Sequence, residues 1–276
     1  YYAPANIISD WRCSFKQLFC RTKYEISAVF KSKPFLLLLI FSLFLLFFSL
    51  TGRETSYNVD TYPVTRLLIV AIRDALTLAL MGVLAFYSSV IIWRERSCDI
   101  APIIDALPVP NWVFVTSKII ALLLIMMAIV TLGVFLAITL QVYSGYYNFE
   151  WALYLKRGLI YYPIPYLLLA VLAVFLNVLS NRKALGILSF LSFVGLIVLS
   201  RDIVGVEHIL LSYGLPDVSA PMSDMNASDR FVKAGLWLRL YWISMAGLLL
   251  VLCYLLWERG TSQPISQRIK ALSNIR

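Results

Sequence analysis

The sequence of 276 residues has little charge: Asp, Glu, Lys and Arg make up only 14% of it, whereas soluble domains carry about 25%. Hydrophobic residues make up 61%, and mean hydropathy is +0.81. The apolar residues fall into long uncharged runs, which exclude an ordinary soluble enzyme, a disordered chain and a fibrous protein. The composition therefore predicts an all-α polytopic membrane protein.

Histidine and cysteine are also scarce, with one His and four Cys. One imidazole cannot build a metal centre, and the cysteines show no paired spacing, so we expect free thiols. The sequence contains no P-loop, no H-E-x-x-H motif and no Ser/His/Asp set. We therefore expect no enzyme activity, catalytic residue, metal or cofactor on this chain. Three classes of membrane protein remain: a transporter subunit driven by a partner, a channel or secondary transporter, and a scaffold. We favour the driven transporter subunit.

Six segments are long and apolar enough to cross a bilayer as helices, which takes about 20 residues each. The second of them ends at Trp93, and the other five cover 34–50, 119–142, 158–179, 184–200 and 240–257. No soluble domain of any size remains between them. We accordingly divide the chain into an interfacial region (1–33), a six-span domain (34–257) and a basic tail (258–276).

The net charge of +9 falls on one side of the predicted membrane. That side holds 1–33, 94–118, 182–183 and 258–276, and the opposite side is neutral. Lys and Arg concentrate on the cytoplasmic flanks of membrane spans. We therefore expect both termini in the cytoplasm, and the charge needs no nucleic acid partner to explain it.

Residues 11–33 mix aromatic side chains with Lys and Arg ahead of the first span. Their apolar residues recur at spacings of three and four, as on one face of a helix. This composition favours a helix that lies in the plane of the membrane surface, with lipid as its partner. The alternative is a plain polybasic flank of the first span.

The stretch 93–112 connects the second and third spans on the cytoplasmic side. It predicts a short helix with one apolar stripe, and Asp99 and Asp105 fall off that stripe. Pro108 and Pro110 end the helix and extend the backbone before the next span. The stripe consists of Ile100, Ile103, Ile104 and Leu107. Such a helix either docks into a partner's groove or rests on the lipid surface.

The run Arg94-Glu95-Arg96 lies where the second span leaves the lipid, next to Trp93 as an interface anchor. One interpretation is a solvated helix end, whose exposed pairs contribute about 0–1 kcal/mol. The other is that Glu95 bonds a group on the short helix after this span or on the basic interfacial helix. We favour the second interpretation.

Polar residues also interrupt the spans themselves. The 18 residues from Leu76 to Trp93 nearly fill a bilayer, so Arg73 and Asp74 are expected near the outer interface, where Arg can reach water. A pore or gate role is the alternative. Asn177 is expected to hydrogen-bond a neighbouring helix, or else to line a path. In the external stretch 201–235, the apolar residues 209–211 predict a short re-entrant segment.

An ordered series of stretches resembles the permeases of type-2 ABC exporters. Within 87–118 the resemblance lies in Tyr87-Ser88-Ser89, Trp93 to Arg96 and Ile103 to Trp112. The other matching stretches are 62–66, 148–150, 153–156, 213–214, 223–226, 236–242 and 257–260. More narrowly, the series is similar to the membrane region of bacterial proteins in which a permease continues into a zinc aminopeptidase of the aminopeptidase N class.

The resemblance implies a fold with an interfacial helix, six spans, a cytoplasmic coupling helix after the second span and an external re-entrant segment. It implies an ABC ATPase that carries ATP and Mg and binds the coupling helix, and a second six-span half that completes the path. The coupling residues would be Arg94, Glu95, Arg96, Asp99, Ile100, Ile103, Ile104, Asp105, Leu107, Pro108 and Pro110. Arg73, Asp74 and Asn177 remain the pore or gate candidates.

The function that the resemblance implies is export through the bacterial inner membrane, driven by ATP hydrolysis on the partner. Peptides are the expected substrate only because a peptidase is attached in the similar proteins. An attached zinc aminopeptidase would be a further partner, but its sequence is absent from this chain. The alternative function is a membrane scaffold that anchors such a peptidase.

Overall fold

The computed structural model describes residues 11–52, 62–180, 182–202, 213–214, 229–257 and 259. These residues form helices and no strand. The helices are α1 (Trp11–Phe30), α2 (Lys33–Thr51), α3 (Thr65–Ser97), α4 (Ala101–Asp105), α5 (Asn111–Tyr143), α6 (Trp151–Leu153), a π-helix (Tyr154–Tyr161), α7 (Ile164–Leu179), α8 (Lys183–Asp202) and α9 (Asp229–Leu256). The predicted all-α class is confirmed.

Six helical segments are long and apolar enough to cross a membrane, as predicted. They are Lys33–Thr51, Thr65–Ser97, Asn111–Tyr143, Trp151–Leu179, Lys183–Ser200 and Gly235–Leu256. The fourth begins before the predicted 158 because it includes α6 and the π-helix, which precede α7. The third begins before the predicted 119 because α5 starts immediately after Pro110, whose extended backbone has φ −67° and ψ 147°.

The bundle has three inner and three outer spans. α3 packs against α2, α5, α7 and α8, and α7 also packs against α9. About half of the most apolar stretch of α3, α5 and of the α7 span is buried (56%, 50% and 50%), against 22%, 17% and 22% for α2, α8 and α9. The outer spans therefore present most of their apolar side chains outward, as a surface in contact with lipid does.

Proline determines how two of the spans begin. Pro34 occupies the first turn of α2, where its missing N–H costs no helical hydrogen bond. Ahead of α7 the helix is interrupted at Tyr162 and Pro163, and Pro165 lies in the first turn of α7. Because proline lacks the N–H that a helix interior needs, Pro163 and Pro165 separate the π-helix from α7.

The predicted re-entrant segment at 209–211 lies outside the described residues. Between positions 203 and 228, Tyr213 and Gly214 are described, and both contact the bundle. The Tyr213 hydroxyl donates a hydrogen bond to the Leu168 carbonyl at 2.9 Å, and its ring packs on Trp242 at 5.1 Å. Gly214 has φ +69°, and a Cβ there would lie 2.8 Å from Leu169 Cγ. Only glycine suits both that conformation and that close approach.

Candidate coupling site

The turn between α3 and α4 is a Schellman motif, in which the last carbonyls of a helix accept from the residues that follow it. The Asp99 N–H bonds the Arg96 carbonyl at 3.2 Å, and the Ile100 N–H bonds the Glu95 carbonyl at 3.1 Å. Asp99 has φ 55°, the left-handed conformation that this motif requires and that glycine usually supplies. The turn fixes the direction in which α4 leaves α3.

The short predicted helix is present as α4, but the regular helix covers only Ala101–Asp105. Of the predicted apolar stripe, Ile103 and Leu107 are exposed, at 70% and 49%, whereas Ile100 and Ile104 are half-buried. Ile100 belongs to the Schellman turn, which explains why the helix is shorter than the pattern predicted. The freely presented apolar surface is therefore Ile103 and Leu107.

Five charged side chains meet where α1, the end of α3 and the start of α5 converge. We call them the coupling cluster: Arg21, Glu25, Arg94, Glu95 and Lys118. Arg21 pairs with Glu95, and Arg94 pairs with Glu25. Lys118 Nζ lies 3.2 Å from Glu25 Oε1 and 3.7 Å from Glu95 Oε1. One lysine on α5 thus contacts a carboxylate on α1 and a carboxylate on α3.

Lys118 and Glu25 have fully buried side chains. Removing an ion from water costs several kcal/mol, and the cost is recovered only when the ion is paired and hydrogen-bonded. Lys118 meets that condition, because its Nζ also donates to the Ile91 carbonyl at 2.7 Å, one turn before Glu95. The cluster therefore specifies the mutual positions of three helices.

α1 buries two polar residues against the bundle and exposes aromatic ones. It buries Thr22, Glu25 and Val29 against the bundle, and it exposes Phe15 and Phe19. Arg21 and Arg94 are additionally held by aromatic faces, with their guanidinium carbons 4.0 Å from the Phe114 ring and 4.8 Å from the Tyr24 ring. Outward aromatic residues are what a helix in the membrane interface presents.

The structure decides between the two interpretations of Glu95. The carboxylate is 7% exposed and bonded to Arg21 of α1, so the solvated helix end is wrong and the bond to the basic helix is present. Arg96 differs from Arg94: its guanidinium lies over the Trp93 ring at 5.3 Å. What Glu95 does for coupling stays a prediction.

Sequence reasoning missed three members of the cluster. In the sequence Arg21 is one of several cations in 11–33, and Lys118 is a charged residue just before the predicted third span. Glu25 was not singled out, although it is the one carboxylate in 11–33 and follows Arg21 at a spacing of four. A lone carboxylate among cations on an amphipathic helix was the available signal.

A cleft separates α4 from the end of α7. Ala101 and Asp105 line it on the α4 side, and Asn177 and Ser180 line it on the α7 side. Glu95 and Trp257 also border it. The exposed part of α4 is therefore joined to the bundle mainly through the Schellman turn and the coupling cluster, with open space on its other side.

The pore or gate candidates do not come together. The Asn177 amide donates to Ser88 Oγ on α3 at 3.2 Å, which is the predicted bond to a neighbouring helix, and it packs against Gly186 of α8. Arg73 Nε pairs with Asp74 Oδ1 at 3.1 Å, fifteen residues earlier on α3 than Ser88. That spacing is roughly 22 Å along a helix. Whether any of the three serves a gate stays a prediction.

At the other end of the bundle, the described residues form a network of neutral hydrogen bonds. We call this the neutral cluster: Gln141 of α5 donates to the Pro63 carbonyl at 2.8 Å and to Thr65 Oγ1 at 3.2 Å, and Tyr154 of the π-helix donates to Gln141 Oε1 at 2.9 Å. About three turns further along α3, the Tyr166 hydroxyl bonds Thr77 Oγ1 at 3.0 Å. These bonds tie the π-helix and α7 to α3 and α5.

Six apolar helices, with a short exposed helix after the second of them, define a multi-pass membrane protein. Residues 23–199 match the family model described as ABC-2 family transporter protein, which is more than half of the chain. The chain therefore belongs to the ABC-2 transporter family. No curated protein and no solved structure matched it.

Family membership confirms the coarser part of the resemblance, an ABC-2 type permease, and implies an ABC ATPase as its partner. The matched range contains four of the five residues of the coupling cluster and the whole of α4. The narrower relationship to permease–aminopeptidase fusions finds no support in these comparisons.

Proposed function

We propose that the chain is the permease of an ATP-driven exporter, and that its ATPase partner docks on Ile103 and Leu107 of α4. The observation that carries the proposal is the exposure of this apolar pair, on a helix whose base is fixed to the coupling cluster. An apolar pair on a short helix suits a hydrophobic groove on the partner. ATP and Mg belong to the partner.

The coupling cluster supplies a route from the docked helix into the bundle. Movement of α4 acts through the Schellman turn on the end of α3, where Glu95 is paired with Arg21. Since Lys118 contacts both Glu25 and Glu95, α1 and α5 move with α3. We propose that ATP-driven motion of the partner reaches the spans as a rigid-body rotation of these three helices.

The membrane orientation follows from the charge distribution. We propose that the end carrying α4 faces the cytoplasm of a bacterial cell, with both termini there, because that side holds the excess Lys and Arg. A second six-span half, either another copy or another part of a longer chain, would complete the path. Its contact surface would come from the outer spans, which expose most of their side chains.

The direct test is Ile103→Asp in the complete chain, coexpressed with the ATPase. A buried charge opposite a hydrophobic groove opposes docking, so we expect at least tenfold weaker copurification of the ATPase, equivalent to roughly 1.4 kcal/mol. Cys98→Asp is the matched control, since it adds the same charge at an exposed position before α4. The proposal fails if both variants retain the ATPase equally while their elution profiles match the wild type.

Peptide export rests on the resemblance alone. ATP hydrolysis by the partner, measured with and without this chain, separates a permease from the scaffold alternative. A scaffold for a zinc aminopeptidase would show no ATP hydrolysis that depends on this chain. A permease would stimulate hydrolysis by the partner when both are reconstituted together. Stimulation by candidate peptides, compared with free amino acids, would identify the substrate class.

A further inference from the structure

α1 exposes cations as well as aromatic residues. Arg12, Lys16 and Lys23 are all exposed, whereas its one carboxylate, Glu25, is buried in the coupling cluster. The charged side chains that α1 exposes are therefore all cations. Neither the coupling cluster nor the docking of a partner on α4 accounts for this surface.

The three cations form a single row. Their spacings of four and seven residues place them within about 40° of one another around a helix with 3.6 residues per turn. Phe15 and Phe19, exposed at 47% and 72%, lie between the buried face and this row, whereas Phe30 lies at the angle of Arg12, five turns further along. Around α1 the order is thus buried face, aromatic residues and cations.

The end of α1 meets the start of the first span. Phe30 packs edge-on against the buried Phe35 at the start of α2, with ring centroids 5.0 Å apart. The next residues of α2, Leu36 and Leu37, are exposed apolar side chains of a membrane span. The cationic row therefore lies on a helix whose end is fixed beside the exposed apolar start of α2.

We propose that Arg12, Lys16 and Lys23 bind the phosphates of anionic glycerophospholipids, so that α1 is held on an anionic membrane surface. Charge complementarity selects the lipid: a cationic row without an exposed carboxylate is attracted to anionic headgroups and gains little from zwitterionic ones. Aromatic residues beside the row favour a membrane over an acidic protein, because a water-exposed protein surface would leave Phe19 without an apolar environment.

The test measures lipid retention by the complete chain without any ATPase, so its outcome does not depend on the proposed transport function. The protein is purified from vesicles of equal parts phosphatidylglycerol and phosphatidylcholine, and bound lipid is counted by native mass spectrometry. The variant is Lys16→Gln/Lys23→Gln. The charge-matched control is Arg182→Gln/Lys183→Gln, which removes two exposed cations at the same end of the bundle, away from α1.

We expect the wild type and the control to retain phosphatidylglycerol in preference to phosphatidylcholine, and the α1 variant to lose about fivefold in that preference for each lysine removed. Equal retention by the variant and the control would overturn the proposal. A separate copurification of the same variant with the ATPase covers the other occupant. If the variant kept its lipid preference but bound the ATPase more weakly, the row would contact an acidic protein surface and the proposal would be wrong.

Discussion

The two ends of the helical bundle are held by different chemistry. At the end that carries α4, five charged side chains converge, and two of them are completely buried. At the opposite end, the neutral cluster joins the same spans through amide, hydroxyl and carbonyl groups. Separating the charged side chains is costly, since each partner would leave an uncompensated charge behind. Breaking a bond of the neutral cluster costs only about 0.5–1.5 kcal/mol of stability.

This difference matches what each end has to do under the proposed function. The charged end must move as one body if it is to pass the motion of a docked partner to the spans. The neutral end includes a π-helix, a conformation that is often found at functional sites. Weak bonds there allow the π-helix to rearrange while the inner spans stay packed. The following changes test the contrast, from the largest expected effect to the smallest.

Glu25→Leu should give the greatest loss of stability. It removes the carboxylate that both Lys118 and Arg94 contact. The nearest carboxylate to the fully buried Lys118 is then Glu95, at 3.7 Å. We expect a loss of about 3–5 kcal/mol in the free energy of unfolding, measured by thermal unfolding in detergent.

The double variant Glu25→Leu/Lys118→Met is the control for this change. It removes the fully buried cation Lys118 together with the carboxylate, and it should recover part of the lost stability, because replacing a buried ion pair by apolar side chains is often neutral. Arg94 still lacks Glu25, but its side chain is 18% exposed and can reach water. If the double variant were less stable than Glu25→Leu, the buried charge of Lys118 would not be the cause of the loss.

The sequence predicts the spans far better than it predicts this cluster. Long apolar runs and helix-starting prolines such as Pro34 and Pro110 are local signals, so the six spans and the position of α4 follow from them. The pairing of Glu25 with Lys118 joins residues that are 93 apart, and it depends on how three helices pack. No local pattern contains that information. The exposed face of α4 was only half predicted, because the Schellman turn at Asp99 depends on a left-handed residue that is not glycine.

Glu95→Gln tests transmission rather than stability. The amide keeps the size of the side chain and retains a hydrogen bond to Arg21, but it removes the charge. We expect a loss of roughly 1.5 kcal/mol in the free energy of unfolding. This is the lower limit for a hydrogen bond to a charged group, because Arg21 is partly exposed. We also expect unchanged ATPase copurification and a several-fold decrease in substrate-stimulated ATP hydrolysis.

Glu150→Gln is the control at the other end, where the carboxylate is exposed outside the spans. It should leave stimulated hydrolysis unchanged. Wild-type hydrolysis in Glu95→Gln would mean that packing alone, without the charge, fixes the end of α3 to α1. The contrast between the two ends would then concern stability only.

Tyr154→Phe probes the neutral cluster. It removes the hydroxyl that donates to Gln141 Oε1 while keeping the buried ring, so the amide oxygen loses that donor. We expect a loss of about 0.5–1.5 kcal/mol, at most half that of Glu25→Leu. Tyr143→Phe, at a position that is 90% exposed, should change stability by less than about 0.5 kcal/mol. A loss in Tyr154→Phe as large as in Glu25→Leu would remove the distinction between the two ends.

Asp99→Gly should have the smallest effect on stability, and of the opposite sign. Asp99 adopts φ 55° at the Schellman turn, a conformation that costs a non-glycine residue roughly 1 kcal/mol and costs glycine almost nothing. Part of the gain is lost to the greater freedom of glycine in the unfolded chain, so we expect a net increase of about 0.5 kcal/mol in the free energy of unfolding. Asp99→Ala should instead destabilise the protein slightly, because it keeps the strained conformation with a residue that tolerates it less well. If glycine and alanine had the same effect, the left-handed turn would not be what positions α4 on the end of α3, and the charged end would owe its rigidity to the coupling cluster alone.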